Sequence, residues 1–159
     1  MGVATVVGVA GCTDDGDEDG GTVPGEDYPT IDEWLTETDV GDADDTYDGA
    51  LLDRRDEDSV TIETGVSGNS GNFAFGPSAA LVSTETNVEW SWTGQGNPHN
   101  VEAIPAEQLG RSDYEFSSGE PESGSGVNFT YTVADAGLAL YHCEPHLSLG
   151  MKGGIAVES

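Results

Sequence analysis

Between Asn87 and Trp92 polar and apolar residues alternate one for one, with Val88, Trp90 and Trp92 on one face. A period of two marks a strand with one buried face. Similar short runs recur from Ser59 onward. Val60 and Ile62 alternate with Thr61 and Glu63. Phe73 and Phe75 follow, closed by Gly76-Pro77, and Leu81-Val82 begins an edge segment. A strand is expected over 99–104, and another where Val127, Phe129, Tyr131 and Val133 alternate. Leu138, Leu140 and His142 precede a last strand over 154–158. Gly, Asn, Ser and Pro punctuate the runs, and residues 105–126 form a long polar, Gly-rich excursion. Neither long helical periodicity nor an internal repeat is present. Seven or eight short strands in about 100 residues predict an all-β, Greek-key β-sandwich.

The front of the chain differs in kind. Residues 1–11 carry no charge and are mostly small or apolar. They are too few to span a bilayer, which takes about 20 residues, and they fit the apolar part of a secretory signal, although no basic residue precedes them. They end in Val9-Ala10-Gly11-Cys12, which resembles a lipobox, where the signal is cut before the cysteine and lipid is attached to the Cys12 sulfur. Residues 12–46 read as an acidic flexible tether, of which the Gly/Asp/Glu stretch 13–27 is too poor in apolar residues to order itself. Within it Ile31, Trp34 and Leu35 recur at helical spacing behind Thr30 as the expected N-cap, enough for one short helix that lays Trp34 on the domain. Residues 47–159 make the domain.

There are 31 acidic residues against 4 basic ones, for a net charge of −27. Phosphate backbones would be repelled, so nucleic acid is excluded as a partner. Glu85, Glu89, Glu102, Glu107, Asp113, Glu115, Glu120 and Glu122 place acid in the folded half as well as in the tail. Such a charge strains a compact chain by self-repulsion, and salt relieves the strain. The excess therefore points to a protein that works in very high salt.

Cys143-Glu-Pro-His146-Leu-Ser-Leu-Gly-Met151 begins at the end of one strand and finishes at the start of the last. So short a loop holds a thiolate, an imidazole and a thioether around one volume. His99 stands just after the Asn97-Pro98 turn, at the start of an earlier strand, and a sandwich brings such strand ends to one pole. Two His, one Cys and a weak axial Met suit a type 1 copper ion in both oxidation states. Structural zinc prefers four strong N/S ligands and would not choose Met. No position is left for exchangeable water, so electron transfer rather than hydrolysis is expected, and the chain is not read as an enzyme. A copper-delivery module is the alternative, but it should carry an exposed Met- or His-rich tract. A copper oxidoreductase would need a second centre, for which only His142 remains.

Tyr141-His142-Cys143-Glu144-Pro145-His146 followed by Gly150-Met151-Lys152-Gly153 resembles the copper-loop signature of plastocyanins, and Asn97-Pro98-His99-Asn100-Val101 resembles their segment before the first ligand. The lipobox, the acidity and Trp90-Ser91-Trp92-Thr93-Gly94 resemble the halocyanins, plastocyanin-like proteins of halophilic archaea. The resemblance covers residues 47–159. It implies a cupredoxin fold, one copper ion held by His99, Cys143, His146 and Met151, and a backbone N–H of Asn100 on the Cys143 sulfur. It also implies a monomeric one-electron carrier that meets redox protein partners of a respiratory chain. With the lipid on Cys12, the carrier would sit on the extracytoplasmic face of the membrane. His146 is then the expected electron port, set among Leu147, Leu149 and Pro77. His142 departs from the family's usual Tyr; pointing away from Cys143, it is expected on an outer patch as a second electron entry.

Overall fold

The computed structural model describes residues 21–96 and 98–159; the expected signal segment, Cys12 and the tether as far as residue 20 lie outside the described residues. The described chain runs β1 (Thr22–Pro24), a 3-10 turn (Gly25–Asp27), α1 (Pro29–Thr36), β2 (Ala50–Asp53), β3 (Ser59–Gly68) and β4 (Gly71–Gly76). It continues through β5 (Ala79–Ser83), β6 (Thr86–Trp92), β7 (Glu102–Ala103), β8 (Phe116–Ser117), β9 (Gly126–Val133), β10 (Gly137–His142), a second 3-10 turn (Glu144–Leu149) and β11 (Lys152–Glu158). Among the described residues two sheets form, ordered β9-β6-β3-β4 and β1-β2-β5-β11-β10-β7-β8. The expected sandwich is present.

The alternation in β6 is fulfilled residue by residue, with Thr86, Val88, Trp90 and Trp92 buried and their neighbours half-exposed. Trp90 anchors the core between the sheets, where Phe116, Phe129 and Tyr141 pack around it with ring centroids 5.3–5.5 Å away. Val60, Ile62, Val101, Val133 and Ile155 complete that layer, and Cys143 and Met151 lie in the same cluster.

The larger sheet behaves differently because both its faces are covered. Residues 152–157 are buried without a break, as are residues 79–82. Unbroken burial is what a strand shows when protein packs on both sides. The outer cover is α1, whose Ile31, Trp34 and Leu35 are fully buried against Leu51, Leu81, Leu140 and Ala156. An eight-residue helix is not stable alone in water, so this packing holds it. Pro29 occupies the first turn and Tyr28, not Thr30, is the N-cap. At the other end the Trp34 carbonyl accepts from Lys152 Nζ at 3.1 Å and the Leu35 carbonyl from the Asp44 N–H at 2.9 Å.

Three expectations change here. Leu81-Val82 is no edge segment: β5 lies between β2 and β11 and runs parallel to both. The strand expected over 99–104 shrinks to β7, with His99 bridging Glu122. Residues 22–46, expected in the tether, pack onto the sandwich, because three apolar side chains at helical spacing find an apolar sheet face to cover.

Candidate metal centre

Two loops meet at one end of the core between the sheets, and each places its donors for a local reason. Cys143 directly follows β10 as the N-cap of the second 3-10 turn. Such a helix makes one turn in three residues, so Cys143 and His146 project to the same side. The His146 N–H donates to the Cys143 carbonyl at 3.1 Å, the Met151 N–H to the His146 carbonyl at 3.2 Å, and the Cys143 N–H to the Met151 carbonyl at 3.0 Å. The loop is thereby folded back on itself, with Met151 fully buried near its start.

His99 is clamped from the far side. Its N–H donates to the Glu122 carbonyl at 3.0 Å and its carbonyl accepts the Glu122 N–H at 2.8 Å. Trp92 Nε1 donates to the same Glu122 carbonyl at 3.0 Å. The polar excursion thus secures the first imidazole, a role its composition hid.

Cys143 Sγ lies 3.7 Å from His99 Nδ1 and 3.4 Å from His146 Nδ1. Donor atoms of His99, Cys143 and His146 all fall within 4.8 Å of one another. Bonds of about 2.0 Å to nitrogen and about 2.3 Å to sulfur span such separations at angles of about 100–120°. The His99 tautomer suits a metal: Nε2 lies 2.8 Å from the Gln95 carbonyl, which only accepts. The proton therefore sits on Nε2, and Nδ1 turns a lone pair toward the sulfur.

Burial lowers the pKa of His99 against the opposing Gln95 hydrogen bond, and burial followed by the neighbouring His99 lowers that of His146. Both shifts favour the neutral form a ligand needs. Burial pushes the Cys143 thiol up to about 12, opposed by backbone N–H groups of Asn100 and His146 on the sulfur, with Glu144 raising it further. A coordinated thiol is deprotonated outright, so metal uptake at these donors releases a proton.

Asn100 does more than its expected backbone bond. Its side-chain Oδ1 accepts the Glu144 N–H at 2.7 Å and its Nδ2 donates to the Gly119 carbonyl at 3.0 Å. One buried amide thus ties together the loops carrying His99 and Cys143.

Around His146 the apolar collar differs from the expected one. Phe73 stacks on the imidazole, with centroids 4.4 Å apart at 28°, and Leu149 is 41% exposed. Leu147 is half-buried and packs toward the cluster under α1. Pro77 lines a cleft with Thr22 and Ala50. Phe73 was legible only as an alternating strand residue; its place beside His146 depends on how β4 crosses the loop.

His142 does point away from Cys143, yet it is 1% exposed and forms no outer patch. The face it points to is covered: Trp34 meets its ring edge-on at 6.4 Å, and Gln108 Nε2 lies 2.8 Å from its Nδ1. Burial, then the charge of Lys152, lowers its pKa from 6.5 to about 4. Between those values the unfolded chain binds a proton that the folded one refuses. The resulting stability is complete above pH 6.5 and is lost as pH falls toward 4, by roughly 3 kcal/mol in all. Acid unfolding of the metal-free protein should therefore be steeper than that of His142→Gln across this window; parallel curves would rule the contribution out.

Residues 61–158 match the model of the family described as copper binding proteins, plastocyanin/azurin family. The chain is 42% identical over 127 residues to halocyanin of Natronomonas pharaonis, covering 80% of this chain and 71% of that protein. It is 33% identical over 107 residues to plastocyanin of Scenedesmus fuscus, covering 62% and 99%. A solved structure of a mutant fern plastocyanin aligns over 62% of this chain and 99% of its own, at 28% identity and a TM-score of 0.46.

Proposed function

This chain belongs to the plastocyanin/azurin family of copper-binding proteins, and from that premise we propose that it is a one-electron carrier whose type 1 copper ion is held by His99, Cys143, His146 and Met151. The observation that carries the reading is the fully buried His99, its Nε2 proton committed to Gln95 and its Nδ1 facing the Cys143 sulfur. Bound to this donor set, copper supplies a Cu(II)/Cu(I) couple that gains and loses one electron. The chain's own part is to hold the donors still. Asn100 locks the two ligand loops, Glu122 clamps His99, and buried packing around Cys143 and Met151 excludes water. His146 is the least buried of the four and acts as the electron port, with Phe73 and Leu149 as an apolar surface for a redox partner. The decisive measurement is the absorption spectrum of the copper-loaded protein. A blue band that appears on oxidation and bleaches reversibly on reduction is expected; a colourless copper adduct would overturn the reading.

The carrier is further proposed to be monomeric and tethered through lipid on Cys12 at the extracytoplasmic face of the membrane, serving respiratory redox proteins. The support is the uncharged segment 1–11 ending at Cys12, followed by a strongly polar run. No helix among the described residues is long and apolar enough to cross a membrane. Cys12→Ala should move the protein from the membrane fraction to the soluble one. Retention of the variant on membranes would exclude the anchor.

A further inference from the structure

Asn69 lies between β3 and β4, 5% exposed and at φ 56. Its side chain joins three separate parts of the chain. Nδ2 donates to the Gly150 carbonyl (3.2 Å), the Phe73 carbonyl (2.8 Å) and Asp44 Oδ1 (3.1 Å). Oδ1 accepts the Asp45 N–H at 2.9 Å, and the Asn69 N–H donates to Asp45 Oδ1 at 2.8 Å. Gly150 immediately precedes Met151, and Phe73 stacks on His146. One buried amide therefore touches the neighbours of two copper donors while gripping residues 44 and 45.

Those residues belong to a segment that abuts the ligand loop directly. The Asp42 N–H faces the Leu147 carbonyl at 3.4 Å. A Cβ at Gly41 would collide with the Leu147 carbonyl, and one at Gly150 with the Ala43 carbonyl; both glycines have positive φ, 69° and 105°. Backbone meets backbone here without a side chain between them. The segment is itself anchored, since the Asp44 N–H donates to the Leu35 carbonyl of α1 and the Asp44 carboxylate accepts the Thr46 N–H and hydroxyl.

We propose that Asn69 is a positioning residue of the copper centre, and that through it residues 41–45 form the outer wall of the loop from Cys143 to Met151. Close-packed interiors transmit strain rather than absorb it. A loop pinned at Leu147 and Gly150 keeps His146 and Met151 at fixed places whether or not the ion changes charge. Partners that orient ligands from outside commonly govern metal affinity about 10- to 100-fold.

The inference rests on the copper reading, and the test separates the two. Asn69→Gly keeps the positive φ and removes the amide. Its copper affinity, measured by competition, should fall about tenfold or more, with an altered visible spectrum. In the metal-free protein its Met151 amide should exchange hydrogen faster than in the wild type. Asp45 is exposed, so Asp45→Ala and Asp45→Asn test the same link should Asn69→Gly fail to fold. Both remove one charge, but only the alanine removes the acceptor. Asp45→Ala should move in the direction of Asn69→Gly, while Asp45→Asn should match the wild type. Wild-type affinity, spectrum and Met151 exchange in Asn69→Gly and Asp45→Ala, with only the thermal midpoint lowered, would overturn the proposal. A wild-type protein that takes up no copper would instead overturn the copper reading, and the Met151 exchange rates would still decide whether the wall exists.

Discussion

Cys143→Ser, loaded with copper, is expected to show no blue band and to bind the ion far more weakly than the wild type. The change replaces one sulfur with one oxygen at a fully buried position. A thiolate is soft and its charge transfer to Cu(II) gives the colour; a serine hydroxyl is hard and keeps its proton at neutral pH. The loss should exceed the about 10- to 100-fold that removal of an outer partner costs. The metal-free fold should survive. The serine Oγ would still meet the N–H groups of Asn100 and His146 that now face the sulfur, and the change in volume is small. A stability change of about 1 kcal/mol is the scale for such a substitution. Absorption titration with copper, paired with thermal unfolding of the metal-free variant, separates the two effects. A blue Cys143→Ser protein would remove Cys143 from the ligand set.

Trp34→Ala is expected to cost about 3–5 kcal/mol of stability while leaving the copper spectrum nearly intact. Trp34 is fully buried, and its Nε1 donates to the Gly153 carbonyl at 3.1 Å and the Tyr141 carbonyl at 3.3 Å. Two cations lie over its ring, Lys152 Nζ at 4.5 Å and Arg111 Cζ at 5.7 Å from the centroid. Arg111 also pairs with Glu33 and Glu37 on the helix side. Burial pushes the Lys152 pKa down to about 8, with Glu37 opposing. Truncation thus opens a cavity, strips two cations of a partner and loosens a helix too short to stand alone. A fall in the thermal midpoint of roughly 10 °C follows from that free energy. Both midpoints should climb with salt, since 31 acidic residues against 4 basic ones repel one another and the Debye length shortens to about 3 Å at 1 M. The difference between them, set by burial, should not. A midpoint unchanged by the substitution would mean that α1 contributes no stability to the sandwich.

The two sites of mutation illustrate what could be read in advance. Cys143 was legible because its chemistry is local: four candidate donors of three types at strand ends, three of the residues within a stretch of nine, exhaust what a short loop can arrange. The helix at Ile31, Trp34 and Leu35 was legible as a helix that lays Trp34 on the domain, but not the sheet face it covers. Its destination depends on a sheet whose strands are far apart in sequence, and the acidic residues around it resemble those of a tether. Asn69 and Phe73 carried no signal of their own; an Asn in a turn and a Phe in a strand have ordinary structural reasons to be there.

By itself, then, the sequence determined most of the period-two strands and singled out Cys143, His146 and Met151 with His99 as one candidate donor set, since these follow from spacing along a single chain; a register shift between Val127 and Phe129 leaves Val127 exposed where plain alternation puts it beside Phe129. His142 marks where that reach ends. Alternation correctly turned it away from Cys143, but only the tertiary structure decided that the outer face of β10 lies under Trp34 and α1 rather than in water. The same holds for the wall at residues 41–45, which meets the ligand loop through backbone contacts about 100 residues apart in the chain. Periodicity reports which face a residue takes. What covers that face is settled by long-range packing, which no local pattern encodes.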